Sequence, residues 1–210
     1  MIILLGAPGS GKGTQSRLLA QRDGFKVFAL GEILRSEIAN STHYGKTIEA
    51  SIKKGEFAPL EIVISLLKQH VMHKDFVLDG FPRNMSQVFE FEKFIHENSS
   101  IDFDKSVKVI DFIVPCEILC DRLKNRRLCK VCDGALLCEA KECNFCGHYS
   151  EDAYMRDDDC NCESVARRLE IFHQEKDLLI EHYSKKGIYH AVDATQQVEE
   201  VYAEVKSIIA

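Results

Sequence analysis

The chain predicts an α/β fold on a five-stranded parallel sheet, and three observations carry that expectation. Five short runs rich in Ile, Val, Leu and Phe alternate with segments of helical periodicity, the pattern of strands buried on both faces by crossover helices. The first run leads without a break into GAPGSGKGT at residues 6–14 and then into a helical stretch, the strand–loop–helix context of a phosphate-binding loop. Gly6, Gly31, Asp79 and Pro115 each follow a strand end. Ligands in parallel sheets gather at the carboxyl ends of the strands, so these residues belong on one rim, with Asp79 facing the loop.

Taken in order, residues 1–5 are the first strand. In the loop, Gly6, Gly9, Gly11 and Gly13 let successive N–H groups turn inward on a polyphosphate. The helix at 15–21 adds its positive dipole end, and Lys12 sets a full charge beside the outer phosphates. Residues 25–30 read as the second strand, and residues 31–35 open a helix. A polar break at 40–42 precedes a helix at 44–54, which Gly55 ends, so residues 31–58 form a small helical excursion. Pro59 opens an amphipathic helix that turns Ile62, Val63, Leu66, Leu67 and Val71 to the core. A third strand at 76–79 ends on Asp79, and a helix spans 87–96. The fourth strand, 107–114, stops at Pro115 and is followed by a helix at 117–124. Residues 129–162 differ in texture, being cysteine-rich and acidic with no sustained period. A long helix at 165–183, a strand at 188–192 and a helix at 198–209 complete the chain.

A length of 210 residues suits one substantial core with small inserts. The composition, 45% hydrophobic and 29% charged, is that of a soluble globular protein, and no apolar run nears the roughly 18 residues of a membrane span. The N-terminal run lacks the basic start and cleavage site of a signal peptide. A net charge of −6 offers no general attraction to nucleic acid or anionic membrane, so an anion site must be local. All nine cysteines fall between Cys116 and Cys162. That clustering points to metal in a reducing cytosol, not to a disulfide scaffold stapled throughout.

Two further constellations carry chemistry. Asp79-Gly80-Phe81-Pro82-Arg83 places a carboxylate at a strand end opposite the loop, where Mg²⁺ is held directly or through water, and Arg83 supplies a bidentate phosphate fork. Cys129, Cys132, Cys143 and Cys146 form two C-x₂-C pairs with ten residues between them, with Gly134 and Gly147 placed as tight knuckles prefer. Four thiolates at this spacing suit tetrahedral Zn²⁺ in a closed structural site. Cys138 can compete as a ligand, Cys160 and Cys162 are spare thiols, and Cys116 and Cys120 have the spacing of core packing on a helix.

One departure narrows the reading. Gly13 stands where the general loop motif has Ser or Thr, and Thr14 follows it. In the form G-x-P-G-x-G-K-G-T, together with D-G-F-P-R and the Cys₄ insert, the chain resembles the nucleoside monophosphate kinases, and adenylate kinases above all. The resemblance runs to Asp193-Ala194-Thr195, which is similar to the family's D-G-T. It implies a P-loop NTPase fold with a core of residues 1–29, 60–126 and 163–210. It also implies a nucleoside monophosphate-binding insert at 30–59 and a zinc-bearing lid at 127–162. The implied reaction is reversible transfer of the terminal phosphoryl group of MgATP to AMP, giving two ADP. The implied protein is a cytoplasmic monomer with structural Zn²⁺, and its partners are ATP, AMP and ADP, with no nucleic acid or membrane among them.

The same resemblance assigns residues. ATP falls to Gly9, Ser10, Gly11, Lys12, Gly13, Thr14, Arg122 (stacked on the donor adenine), Arg126, Ala135, Leu136 and Gln196. AMP falls to Leu30, Arg35, Glu56, Phe57, Ala58, Gly80, Phe81, Pro82, Arg83, Gln87, Arg156 and Arg168, with the Phe81–Pro82 bond cis and Gln87 reading the adenine edge. Lys12, Arg83, Arg126, Arg156 and Arg168 are the catalytic set, and Glu32 and Asp79 serve magnesium through water. The segment 156–163 is about one residue longer than the family's R-x-D-D-x-E-E, so Arg167 remains an alternative to Arg168. Leu30 and Glu32 replace the Thr and Asp of T-G-D-x-x-R, and Leu30 keeps a UMP- or CMP-type or broad acceptor open. From another class comes a zinc-ribbon NTPase bound to nucleic acid. It is opposed by the acidic surroundings of the knuckles: Glu139, Glu142, Glu151, Asp152 and the run Asp157, Asp158 and Asp159.

Overall fold

The computed structural model describes residues 1–53, 56–70, 75–98, 102–136, 140–149, 151 and 153–210. Five strands, β1 (Ile2–Gly6), β2 (Lys26–Ala29), β3 (Phe76–Asp79), β4 (Lys108–Ile113) and β5 (Tyr189–Asp193), form one sheet in the order β2-β3-β1-β4-β5. Every pairing is parallel, and Leu4 lies beside Asp79 on one side and Ile110 on the other. The strands read as unbroken apolar runs because both faces are covered. Side chains alternate between faces, so Ile3 and Leu5 pack into one cluster with Phe28, Leu78 and Val109. Ile2 and Leu4 pack into another with Val77, Ile110 and Phe112.

Helices α1 (Lys12–Asp23) and α10 (Val198–Ile209) cover the second face through Leu19, Val201 and Val205. The first face is covered by α4 (Leu60–His70), α5 (Met85–Asn98) and α9 (Cys162–Lys185) through Val63, Leu66, Leu67, Phe91, Leu179 and Tyr183. Of the expected core positions of α4, Ile62 is only partly buried, and Val71 lies outside the described residues. The excursion after β2 is α2 (Leu30–Ala39) and α3 (Gly45–Lys53), which seat Leu30, Leu34 and Ile48 in the same first cluster. Short helices α6 (Phe103–Ser106) and α8 (Asp157–Cys160) were not anticipated. Among the described residues no helix is long and apolar enough to cross a membrane.

Several boundaries move for physical reasons. Leu30 opens α2 instead of ending β2, and its side chain is 3% exposed. Helix α1 begins at Lys12, not at residue 15, because Gly11 turns into the left-handed region at φ 97° and caps it. Helix α9 begins at Cys162, where the Asn161 side chain accepts hydrogen bonds from the N–H groups of Glu163 and Ser164 and so satisfies two of the helix's free donors. The core placement of the two early cysteines is corrected on α7 (Cys116–Asn125). Cys116 is exposed, while Cys120 is half-buried against Leu119, Leu123, Val165 and Leu169. The α7 stripe at positions 119 and 123 faces inward, and Cys116 sits at the solvent end of that turn.

Helix α3 crosses α2 at a point that only glycine permits. A Cβ on Gly45 would stand 2.2 Å from the carbonyl oxygen of Glu37, and backbone cannot yield as a flexible side chain does. Gly45→Ala is expected to cost about 1–3 kcal/mol, a fall of several degrees in Tm for a chain of this size. Lys46→Ala, one residue along and exposed, should change Tm by less than about 1 °C. Equal Tm values for the two variants, in parallel thermal unfolding, would show that α2 and α3 do not approach so closely.

Candidate active site

The loop leaves the central strand and bends where no side chain fits. A Cβ on Gly6, which has φ 136°, would lie 2.7 Å from Ser10 Oγ and 3.0 Å from the Phe112 carbonyl. The Lys12 ammonium folds back over the loop and donates to the carbonyls of Gly6 (2.6 Å) and Ala7 (2.8 Å) and to Ser10 Oγ (3.3 Å). Helix α1 is held down by Gln15, whose Nε2 donates to the Val198 carbonyl at 2.9 Å. Asp79, one strand over, faces this turn. Ser16 Oγ lies 3.5 Å from its Oδ2, and a Cβ on Gly13 would lie 3.5 Å from the same oxygen. The facing of loop and carboxylate expected from strand order is therefore present.

Beyond Asp79, the Phe81–Pro82 peptide is cis. Arg83 Nε donates to the Gly80 carbonyl at 2.7 Å, and the Arg83 backbone N–H donates to Gln87 Oε1 at 2.7 Å. Gln87 is buried on α5, and its own N–H is capped by Asn84 Oδ1. Across the cleft, Arg126 at the end of α7 and Arg168 on α9 share one carboxylate. Asp159 Oδ2 accepts from Arg126 Nε at 2.8 Å, and Asp159 Oδ1 accepts from Arg168 Nη2 at 2.7 Å. Arg168 also pairs with Asp158. Arg167, one residue earlier, is exposed, so Arg168 is the member of the pair that joins the cluster.

The cations crowd together. Burial pushes the Lys12 ammonium down to about 8; the carboxylates of Asp79 and Asp111 oppose that, while Arg83 and Arg126 add to it. Loss of surrounding water, first, and then like charge also lower the guanidinium groups. Arg156 acts on Arg35; Arg168 and Arg35 act on Arg83, which still opens to solvent at the cleft mouth; Arg156 and Arg168 act on Arg126. Among the described residues, Nε of Arg35, of Arg156 and of Arg168 are buried donors without a hydrogen-bond acceptor. Unsatisfied buried donors of like charge are costly unless an anion completes them. The arrangement fits several phosphate oxygens.

The remaining expected residues fall in three places. Leu30 is in the core beneath α2, Ala58 is buried, Phe57 is half-buried and Glu56 is exposed. Arg122 is half-buried one turn before Arg126; Ala135 is bridged to Leu128, and the Leu136 N–H donates to the Arg127 carbonyl. Gln196 follows the turn in which Asp193 Oδ1 accepts from the N–H and hydroxyl of Thr195. Glu32, expected near magnesium, is engaged instead by Arg17 at 2.6 Å. Sequence reasoning missed Asp159, which it counted only as part of an acidic run. The alternation of Arg156, Asp158, Asp159 and Arg168 around one short helix was the available signal.

The four cysteines of the two C-x₂-C pairs come together, with all four Sγ atoms within 4.8 Å of one another. Cys129 and Cys146 are 3.6 Å apart, and Cys132 and Cys143 are 3.5 Å apart. Thiolates about 2.3 Å from a tetrahedral Zn²⁺ stand about 3.8 Å from one another, so the set fits that ion. Burial opposes charge on Cys129, yet the N–H groups of Cys132 and Val131 hold its thiol down to about 7, whereas burial pushes Cys132 up to about 12. Cys160 and Cys162 are exposed and outside this cluster. Leu137, Cys138, Glu139 and Asp152 lie outside the described residues.

Residues 4–188 match the family model described as adenylate kinase. An adenylate kinase of Archaeoglobus fulgidus is 35% identical over 216 residues, covering 99% of this chain and 97% of the relative. One from Caldicellulosiruptor saccharolyticus is 36% identical, covering 97% and 96%. One from Elusimicrobium minutum is 36% identical, covering 100% and 98%.

The depressed Lys12 pKa sets a pH dependence with a definite sign. Between about 8 and the ordinary 10.5, the unfolded chain binds the proton and the folded chain releases it. Stability must therefore rise with pH across that window, relative to a variant lacking the group. Against Lys12→Met, the wild type should gain on the order of 1–3 kcal/mol from pH 8 to 10.5 in urea unfolding. A constant difference between the two proteins would return Lys12 to an ordinary amine.

Proposed function

The chain belongs to the adenylate kinase family, whose reaction is MgATP + AMP ⇌ 2 ADP, and we propose that the cationic rim around residues 6–14 carries it out. The single observation that supports this assignment is the convergence of Lys12, Arg35, Arg83, Arg126, Arg156 and Arg168 on one cleft, three of them with unsatisfied buried donors. In this reading residues 1–29, 60–126 and 163–210 are the core, residues 30–59 the acceptor insert, and residues 127–162 the lid. The donor triphosphate lies on Gly9, Ser10, Gly11, Gly13 and Thr14, with its adenine near Arg122, Ala135, Leu136 and Gln196. AMP lies against Arg35, Glu56, Phe57, Ala58 and the Gly80–Phe81–Pro82 turn, with Leu30 at the floor and Gln87 at the base edge.

The chemistry asks little covalent work of the protein. A phosphate monoester has its second pKa near about 6, so the AMP oxygen is already an anionic nucleophile at neutral pH and no general base is required. Its lone pair forms a bond to the γ-phosphorus as the bond from that phosphorus to the β,γ-bridging oxygen breaks, leaving ADP on both sides. Lys12, Arg126, Arg156 and Arg168 stabilise charge on the moving group and the leaving oxygen, and Arg35 and Arg83 align the acceptor phosphate. Adenylate kinases use Mg²⁺ with ATP; Asp79, against the loop, is placed to hold its water, whereas Glu32 would have to leave Arg17 to share that task. Both inserts close over the nucleotides, which excludes water that would otherwise take the phosphoryl group. The protein is assigned to the cytoplasm, in keeping with cysteines clustered for metal and not spread as a disulfide scaffold, and is assigned as a monomer.

The Cys₄ cluster is assigned to one Zn²⁺ that fixes the two knuckles as a body. Closed by four protein ligands, the site has no position for substrate and supplies structure alone. It compensates for the thin apolar content of the lid, in which Leu128, Leu136, Phe145, Tyr149 and Tyr154 are among the larger described side chains and Tyr149 is exposed.

Acceptor kinetics and metal content test these assignments. ADP release from ATP should be rapid with AMP and slower by an order of magnitude or more with CMP, UMP or GMP; equal acceptance of CMP or UMP would move the assignment to a broad-specificity kinase. Leu30→Thr, which returns a hydroxyl at the floor of the acceptor insert, should raise the kcat/KM ratio of AMP over CMP and UMP, and an unchanged ratio would remove Leu30 from selectivity. Elemental analysis should find one zinc per purified chain, lost with Cys132→Ser and retained with Cys160→Ser or Cys162→Ser. Zinc removal should lower Tm and loosen residues 127–162 without abolishing ATP binding. A zinc content below about half per chain, or dependence on Cys160, overturns the site.

A further inference from the structure

Arg17 stands on α1, one turn after the phosphate loop, and touches both inserts at once. Its Nη2 donates to Glu32 on α2 at 2.6 Å. Its guanidinium also lies 5.7 Å from the centroid of the Phe145 ring, within the range of a cation–π contact. Phe145 sits between Cys143 and Cys146 in the second knuckle and packs over Gly134 beside the first, where a Cβ would come within 2.5 Å of its ring. Gln21, four residues after Arg17 on the same face of α1, donates from Nε2 to the Phe145 carbonyl at 2.8 Å. None of these groups belongs to the cationic rim.

From this geometry we infer that Arg17 is a positioning residue for phosphoryl transfer, a latch that joins the acceptor insert and the metal-bearing lid on the helix that carries the phosphate loop. The inference rests on the reading of residues 30–59 and 127–162 as inserts that close over nucleotide. The electrostatics support a single point serving both. Arg17 and Glu32 are 22% and 39% exposed at their side chains, so either contact alone is worth little. A planar guanidinium can bind a carboxylate with its edge while it stacks with its face, and ammonium cannot. Each insert that docks leaves Arg17 better ordered for the other, so the two closures favour one another. Gln21 adds a hydrogen bond on the lid side alone. The arrangement also explains Glu32: its longer arm reaches across to α1.

The test is steady-state kinetics on the zinc-loaded full chain, with ATP and AMP varied separately and Tm measured on every variant. Arg17→Ala should raise KM for both nucleotides by about 3- to 10-fold, the loss of one exposed ion pair and one cation–π contact. Its kcat should hold or rise, since a looser lid opens sooner for product release, and Tm should stay within about 2 °C of wild type. Arg17→Lys should restore KM for AMP more fully than KM for ATP, because it keeps the charge for Glu32 and loses the stacked face. Gln21→Ala should raise KM for ATP alone. Wild-type KM values in Arg17→Ala overturn the inference, as does a rise in KM that Arg17→Lys restores equally for both nucleotides or not at all. A wild-type chain that makes no ADP from ATP and AMP overturns the function itself, and this role with it.

Discussion

Everything in this structure depends on holding like charges close together in a cleft from which water is partly removed. Two unit charges about 4 Å apart repel by roughly 4 kcal/mol at the effective dielectric of a protein surface, so a cluster of six cations does not assemble on mobile loops. Each comes from a different anchorage here. Lys12 opens α1, Arg35 lies on α2, Arg83 follows β3, Arg126 ends α7, Arg156 precedes α8 and Arg168 stands on α9. The parallel sheet brings those chain segments to one rim, because every strand points its carboxyl end the same way.

Carboxylates placed among the cations make the cluster tolerable without neutralising it. Asp159 is buried and serves Arg126 and Arg168 together, and Asp79 and Asp111 support Lys12. The buried Nε atoms left over on Arg35, Arg156 and Arg168 are a surplus of donors that suits a polyphosphate. In the proposed reaction the remaining repulsion would be relieved most when negative charge is most developed, which favours the transition state over the free enzyme.

The proposed lid, residues 127–162, faces a different problem. A segment with few large apolar side chains cannot hold a fixed shape by burial alone, yet under the proposed function residues 127–162 must present Arg156 accurately to the cleft. The four clustered thiols are placed to supply that constraint by holding a metal. Asp133, next to Cys132, accepts from the Tyr154 hydroxyl at 2.5 Å and faces the charge of Arg35. Phe145 carries the second knuckle onto α1. On the proposed reading, a metal held by these thiols would be linked through ordinary side-chain contacts to residues 30–59 and to the loop helix.

The sheet, the loop, the D-G-F-P-R turn and the cysteine cluster are legible in the residue order alone. These features are encoded by local period or by short fixed spacing, which the chain cannot change without changing its residues. Residues 6–14 need only their own glycines and a strand before them, and the two C-x₂-C pairs need only each other. Partnership across long separations exists only in the folded chain. Asp159 reads as one of three consecutive acids until Arg126 and Arg168 close on it. Arg168 and Arg167 are indistinguishable in the chain, and helix phase alone turns one into the cleft and the other to solvent. Glu32 stands where a magnesium ligand was expected and is found on Arg17, which also receives Phe145 from far along the chain. Such pairings carry no periodic signal, because each half is an ordinary surface residue until the fold sets the other beside it.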